Sequence, residues 1–305
     1  MERVIRMNRV MRAIIKFIYG QIFSRVDLSK RYAAVNRISD RFAQLFMRVP
    51  RKCRRRSVDI RGIPGEWIDA DFRHTDRCLL FIHGGGFCLF STVFYREMVG
   101  RIAQAARARA LSFNYRLAPM NPFPAALEDS LTAYEWLLST GAKASRVAVI
   151  GDSAGGGLVL SLLQTLRDRK ISLPACAVCI SPWADLTLSG EGFEERRKKD
   201  HLMRGTALQC CAAHYLQGQK ASHPSVSPLF GDFSNLPPLL FQAGGEEVLL
   251  MDSVTAVEKS RAVGTAATLS VWAGQVHDFQ LWAKILPDGR KAIQEIGRFV
   301  QKHIP

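Results

Sequence analysis

The stretch Val147-Ala148-Val149-Ile150-Gly151-Asp152-Ser153-Ala154-Gly155-Gly156-Gly157 constrains this chain more than any other. It opens with four apolar residues, mostly β-branched, as in a parallel strand buried on both faces. They run into Gly-x-Ser-x-Gly, and Leu158 to Leu166 continues with helical character. Strand, sharp turn and helix form the context of a nucleophile elbow, in which a serine sits at a strained tip with its hydroxyl exposed. Gly151 and Gly155 carry no Cβ, so strand and helix can approach closely. The following helix aims its N-terminal N–H groups and positive dipole end at the serine, which favours developing negative charge. An incidental serine in a glycine-rich turn gives the same short pattern, so the rest of the chain has to decide.

A chain of 305 residues, 48% of them hydrophobic, can bury a large core. No run of eighteen apolar residues occurs, so no transmembrane span is expected. The net charge of +15 is uneven: residues 1–56 hold sixteen Lys or Arg against Glu2, Asp27 and Asp40. The basic character therefore belongs to the N-terminal segment. An odd count of seven cysteines, scattered among apolar residues, points to reduced thiols and a cytoplasmic chain. Cys176 and Cys179 form a CxxC pattern, but they lie in a strand-like run where positions three apart face opposite sides. No second Cys or His pair at metal spacing accompanies them, so they read as core.

Residues 1–24 read as an amphipathic helix, with Val4, Met7, Met11, Ile14, Ile15, Ile18 and Ile22 at helical spacing and Arg or Lys over much of the rest. The helix either packs over the body as part of a lid or lies on an anionic membrane surface. Ser29 to Met47 is a second helix, and Pro50 to Arg56 a basic connector without the interleaved aromatics of a nucleic-acid patch. Strands are expected near 57–60, 66–70, 78–82, 111–114, 147–150, 175–180, 239–243 and 269–272. Helices are expected at 96–109, 125–138, after Ser153, and at 289–300. Such alternation predicts an α/β fold with a mostly parallel sheet covered by helices on both faces. Nearly sixty residues between Ile180 and Leu239 break the rhythm, with a charged run at 191–200 and a helix-like 205–217; an insertion that long is usually a lid or binding element.

Serine hydrolysis needs a nucleophile, a base, an orienting acid and donors for an oxyanion. Ser153 is the candidate nucleophile. His83-Gly84-Gly85-Gly86-Phe87 follows an earlier strand and leaves backbone N–H groups bare; with the N–H of Ala154 it can form an oxyanion hole. His277 lies just after the last strand, on the rim the elbow shares, and is the candidate base. The acid must follow the 239–243 strand and precede His277. Glu247 is preferred, with Glu246 second and Asp252 third, because Val248-Leu249-Leu250 begins a helix that carries Asp252 away.

These motifs resemble the hormone-sensitive lipase-like branch of the α/β-hydrolases. The likeness covers nearly the whole chain. It includes Gly62 to Ile68, HGGGF at 83–87, Asn114 to Pro119, Pro122 to Asp129, GDSAGG at 151–156, Ser181 to Leu186 and Ser227 to Phe230. The resemblance implies an α/β-hydrolase fold with an eight-stranded sheet and a helical cap. The cap would comprise residues 1–50 and an insertion at about 186–222, and the catalytic domain 51–305. It also supports Glu247, at a position where the family more often has Asp. Met120-Asn121 departs from the usual acidic residue after Ala-Pro, and Asp278 follows the base where an apolar residue is more common.

The implied reaction is two-step acyl transfer on short- to medium-chain esters by Ser153, Glu247 and His277, with Gly84, Gly85 and Ala154 as oxyanion donors and no metal or organic cofactor. Hydrolysis of an amide, a lactone or an acetylated small molecule uses the same groups, and a non-catalytic binding protein on the same fold is the competing class. The expected partner is a small-molecule ester and no nucleic acid; weak membrane contact through the basic helix and a homodimer stay open.

Overall fold

The computed structural model describes residues 28–70, 76–190, 192–200 and 207–305. The expected amphipathic helix over 1–24 lies outside them. The described chain begins with α1 (Leu28–Phe46), the hairpin strands β1 (Cys53–Ile60) and β2 (Ile63–Ala70), and β3 (Cys78–Ile82). Then come α2 (Thr92–Ala106), β4 (Arg109–Phe113), α3 (Ala125–Ser139), β5 (Val147–Asp152) and α4 (Ala154–Asp168). After β6 (Cys176–Ile180) follow α5 (Phe193–Lys199) and α6 (Ala207–Leu216). The chain closes with β7 (Leu239–Gly244), α7 (Leu250–Ala262), β8 (Ala267–Trp272) and α8 (Pro287–His303).

The strands form one eight-stranded sheet in the order β1-β2-β4-β3-β5-β6-β7-β8. The pairs β1–β2 and β2–β4 are antiparallel; from β4 to β8 every pair is parallel. The central strands β3, β5, β6 and β7 are buried along their whole length, which explains their unbroken apolar runs. Side chains alternate between two cores. Val147 and Val149 join Leu131, Tyr134, Leu158, Leu162 and Val257 on the face of α3, α4 and α7. Ala148 and Ile150 join Met98, Ile102, Ile293, Ile296 and Val300 on the face of α2 and α8. Cys176 falls in the second core and Cys179 in the first, as a two-residue strand period requires.

Three local differences from the sequence reading have clear causes. Helix α2 starts earlier than residue 96 because the Ser91 hydroxyl caps it, accepting the Val93 N–H at 3.3 Å; it ends earlier because Arg107 turns left-handed, with φ 51°. Half of the basic connector, from Cys53 to Arg56, is strand, paired with β2 and carrying its arginines outward towards Glu66 and Asp69. Part of the charged run is the short helix α5, braced by Arg197 on Glu194 at 2.7 Å.

The topology sets the site. The ends of β3, β5, β6, β7 and β8 lie side by side at one edge of a parallel sheet, where open α/β sheets bind ligands. They deliver His83, Ser153, Ser181, Glu247 and His277 respectively.

Candidate active site

Ser153 sits between β5 and α4 with φ 52° and ψ −122°. A non-glycine residue there costs on the order of 1–3 kcal/mol, and the surroundings have to over-determine it. They do so through the backbone. Its N–H donates to the Ile180 carbonyl at 2.8 Å, and its carbonyl accepts from Trp183 at 2.9 Å and from Gly157 at 3.1 Å. A Cβ on Gly155 would stand 2.1 Å from the Ile82 carbonyl oxygen, so only glycine lets α4 approach β3 this closely. The hydroxyl does not stand open as the elbow pattern suggests. Ser153 is only 2% exposed, with His277 Nε2 3.0 Å from its hydroxyl and Gly84 packed against its Cβ.

His277 is buried, and its Nε2 stands 3.0 Å from Ser153 Oγ. Its Nδ1 stands 3.3 Å from Glu247 Oε2, an ionic contact whose direction falls short of a well-aligned hydrogen bond. Glu247 is completely enclosed. The Ser181 hydroxyl donates to the same Oε2 at 2.7 Å. Burial raises the Glu247 pKa above the ordinary carboxylate value; His277 and Ser181 oppose that shift. Burial also pulls His277 towards its neutral form, but Asp278 and Glu247 together overcome this and hold its pKa well above the usual histidine range.

The other acid candidates go elsewhere. Glu246 is exposed. Asp252, on the first turn of α7, accepts the N–H groups of Ala184 at 2.7 Å and Asp185 at 2.9 Å, which anchors the chain after β6. Burial pushes its pKa up to about 7.

The loop after β3 is built for rigidity. His83 is buried, stacked on Tyr115 with ring centroids 4.3 Å apart, and its Nδ1 meets the Gly84 carbonyl at 2.8 Å. Burial lowers its pKa to about 4, so it is a neutral structural ring. Gly85 has φ 106°, which a side chain would resist. One expected donor is already engaged. The Gly84 N–H donates to Asp152 Oδ1 at 3.0 Å, because that buried carboxyl needs donors and the loop supplies one. Among the described residues the N–H groups of Gly85, Gly86 and Ala154 meet no acceptor.

The sequence reading missed Ser181 and Asp152 as members of this network. Ser181 is readable only as the residue at the end of β6, and Asp152 only as the variable residue of Gly-x-Ser-x-Gly. Asp152 also counts Tyr95 among its partners, and burial raises its pKa well above the ordinary value.

The arrangement is that of a hydroxyl, an imidazole and a carboxylate in a row beside bare N–H groups, which suits acyl transfer. Comparison with known proteins agrees. Residues 79–281 match a family described as the alpha/beta hydrolase fold. An acetyl-hydrolase of Streptomyces hygroscopicus is 41% identical over 244 residues, 80% of this chain and 81% of that protein. The crystal structure of an esterase from the bacterial hormone-sensitive lipase family superposes with a TM-score of 0.91 at 38% identity, covering 96% of this chain and 98% of the other. That of the esterase EstE5, soaked by p-nitrophenyl butyrate, gives 0.88 at 37% identity over the same shares. The chain belongs to the hormone-sensitive lipase-like branch of the α/β-hydrolase family and is a hydrolase of carboxylic esters.

Proposed function

We propose that Ser153, His277 and Glu247 carry this ester hydrolysis through an acyl-enzyme. The observation that supports it is the continuous row from Ser153 Oγ through both imidazole nitrogens to Glu247 Oε2. His277 Nε2 takes the hydroxyl proton as Oγ attacks the ester carbonyl. Glu247 fixes the ring with its proton on Nδ1 and stabilises the imidazolium that forms. The N–H groups of Gly85 and Ala154, with Gly86 adjacent, take the oxyanion; Gly84 is left out because it serves Asp152. His277 then returns its proton to the departing alkoxide, and water repeats the sequence on the acyl-enzyme.

The acyl group in this reading is short to medium. The acetyl-hydrolase relative and the butyrate-ester soak of EstE5 support that size. So does the aromatic group beside the glycine loop, where Phe87 stacks on Tyr215 at 3.9 Å and leans on Trp183. Residues 1–50 and about 186–222 are the cap over residues 51–305. Contact between Tyr32 of α1 and His214 of α6, with ring centroids 5.0 Å apart, supports this, as does the seat of Cys211 against Gly86. Free cysteines support a cytoplasmic chain. Among the described residues no helix is long and apolar enough to cross a membrane, and the basic segment 1–56 supports weak, salt-sensitive attachment to an anionic surface.

The test is a p-nitrophenyl ester series from acetate to laurate with the parent chain and Ser153→Ala. Turnover should peak at the short to middle members and fall by about 10⁴-fold or more in the variant. A folded Ser153→Ala chain that keeps most of its turnover contradicts the assignment.

A further inference from the structure

The residue after the base also reaches it. Asp278 Oδ2 lies 3.0 Å from His277 Nε2, the same nitrogen that stands 3.0 Å from Ser153 Oγ. The Asp278 backbone is left-handed, φ 50° and ψ 36°, and its N–H meets Ser181 Oγ at 3.3 Å; this turn brings the carboxyl back over the ring. The residue is 6% exposed, its Oδ1 has no hydrogen-bond partner, and among the described residues no Lys or Arg pairs with it. The hydrogen bond of Nε2 is directed at Ser153 Oγ, but a carboxylate oxygen this close favours the protonated, charged form of the ring. A proton held on Nε2 occupies the nitrogen that, in the reading above, deprotonates Ser153.

We propose that Asp278 is a second carboxylate partner of His277, one that holds a proton on Nε2 in the resting enzyme so that hydrolysis waits for its release. The proposal rests on the reading of Ser153 and His277 given above. Its steps balance. The resting pair loses one proton to solvent, which leaves imidazole with a free Nε2. The Ser153 hydroxyl proton then moves to Nε2 as its oxygen bonds to the acyl carbon, and the same proton leaves with the alkoxide. Asp278 acts through His277 and is a positioning residue.

The other groups facing this pair belong to four further elements. Glu247 comes from the loop after β7 and meets the opposite nitrogen. Asp152, at the end of β5, is engaged by Gly84 and Tyr95. Ser181, after β6, is uncharged. Arg196 of α5 reaches only the Gly245 carbonyl, at 3.4 Å. Among the described residues Asp278 is thus the one carboxylate in contact with Nε2, and the raised His277 pKa is consistent with that contact.

The experiment is the pH profile of kcat/KM on p-nitrophenyl butyrate for the parent, Asp278→Asn and Asp278→Glu. Asparagine tolerates the left-handed backbone, so the first variant keeps the turn. In the parent the rising limb should lie above the ordinary histidine value of about 6.5. In Asp278→Asn it should move down by about one pH unit or more, which raises relative activity on the acid side about tenfold. Asp278→Glu should restore part of the upward position. A limb unmoved in Asp278→Asn overturns the proposal, while serine-dependent hydrolysis in all three proteins keeps the Ser153 reading. Should either variant fold poorly, an NMR titration of labelled His277 in the parent decides: a ring that is neutral well below pH 6.5 also overturns it.

Discussion

Two neighbouring loops each carry a carboxyl to one imidazole, at opposite nitrogens. The loop after β7 brings Glu247 to Nδ1; the turn after β8 brings Asp278 to Nε2, the nitrogen that also faces Ser153 Oγ. Glu247 is enclosed and held by the Ser181 hydroxyl at 2.7 Å, and in the proposed mechanism its contact selects the tautomer that frees Nε2. Asp278 has one oxygen without a partner, and in the proposal above its contact ties up the nitrogen that Glu247 frees. On that proposal the nitrogen a carboxylate meets, more than its distance, decides whether it promotes the base or holds it back.

The largest way to break this comparison is Glu247→Ala. Loss of the tautomer-setting partner should lower kcat on p-nitrophenyl butyrate by about 10³–10⁴-fold, with KM little changed. A drop of only a few-fold would place the acid elsewhere. Next comes Ser181→Ala, which removes the hydroxyl shared by both loops, donor to Glu247 and acceptor for the Asp278 N–H. A kcat loss of about tenfold, from one buried hydrogen bond to a charged group, is expected. Steady-state kinetics at the pH optimum would show it, and an unchanged kcat would mean that Ser181 does not position Glu247.

The smallest effect on turnover should come from Asp252→Ala, despite its place only five residues from Glu247. It leaves the Ala184 and Asp185 N–H groups without their acceptor, which costs roughly 2–4 kcal/mol of stability, readable in urea unfolding. The parent carboxyl, raised by burial from 3.8 to about 7, favours the folded state fully below pH 3.8. That contribution is lost as pH rises through about 7, so the variant should lack this part of the pH slope of stability. If turnover per folded molecule falls as far as in Glu247→Ala, the two acids have been misassigned.

The sheet was legible because each central strand is buried on both faces and so reads as an unbroken apolar run, as in β5 and β6. Ser153 was readable from its strand, glycine turn and helix, and His277 from its place after the last strand, on the same edge of the sheet. Glu247 was preferred over Asp252 because a helix begins at Leu250, but its separation from Glu246 rests on burial, which residue type does not reveal. Nothing in the sequence reveals that Asp152, one residue before Ser153, turns back to take the N–H of Gly84, one of the expected oxyanion donors. Asp278 stood out by residue type, yet its reach to Nε2 depends on a left-handed turn that no period encodes.

The most direct test of the account is covalent labelling with a fluorophosphonate, read by peptide mass spectrometry beside residual hydrolysis of p-nitrophenyl butyrate. The account predicts one phosphonyl adduct, on Ser153, formed in step with loss of activity, and none in Ser153→Ala. An adduct on another residue that tracks the loss, or full activity with Ser153 labelled, would contradict it.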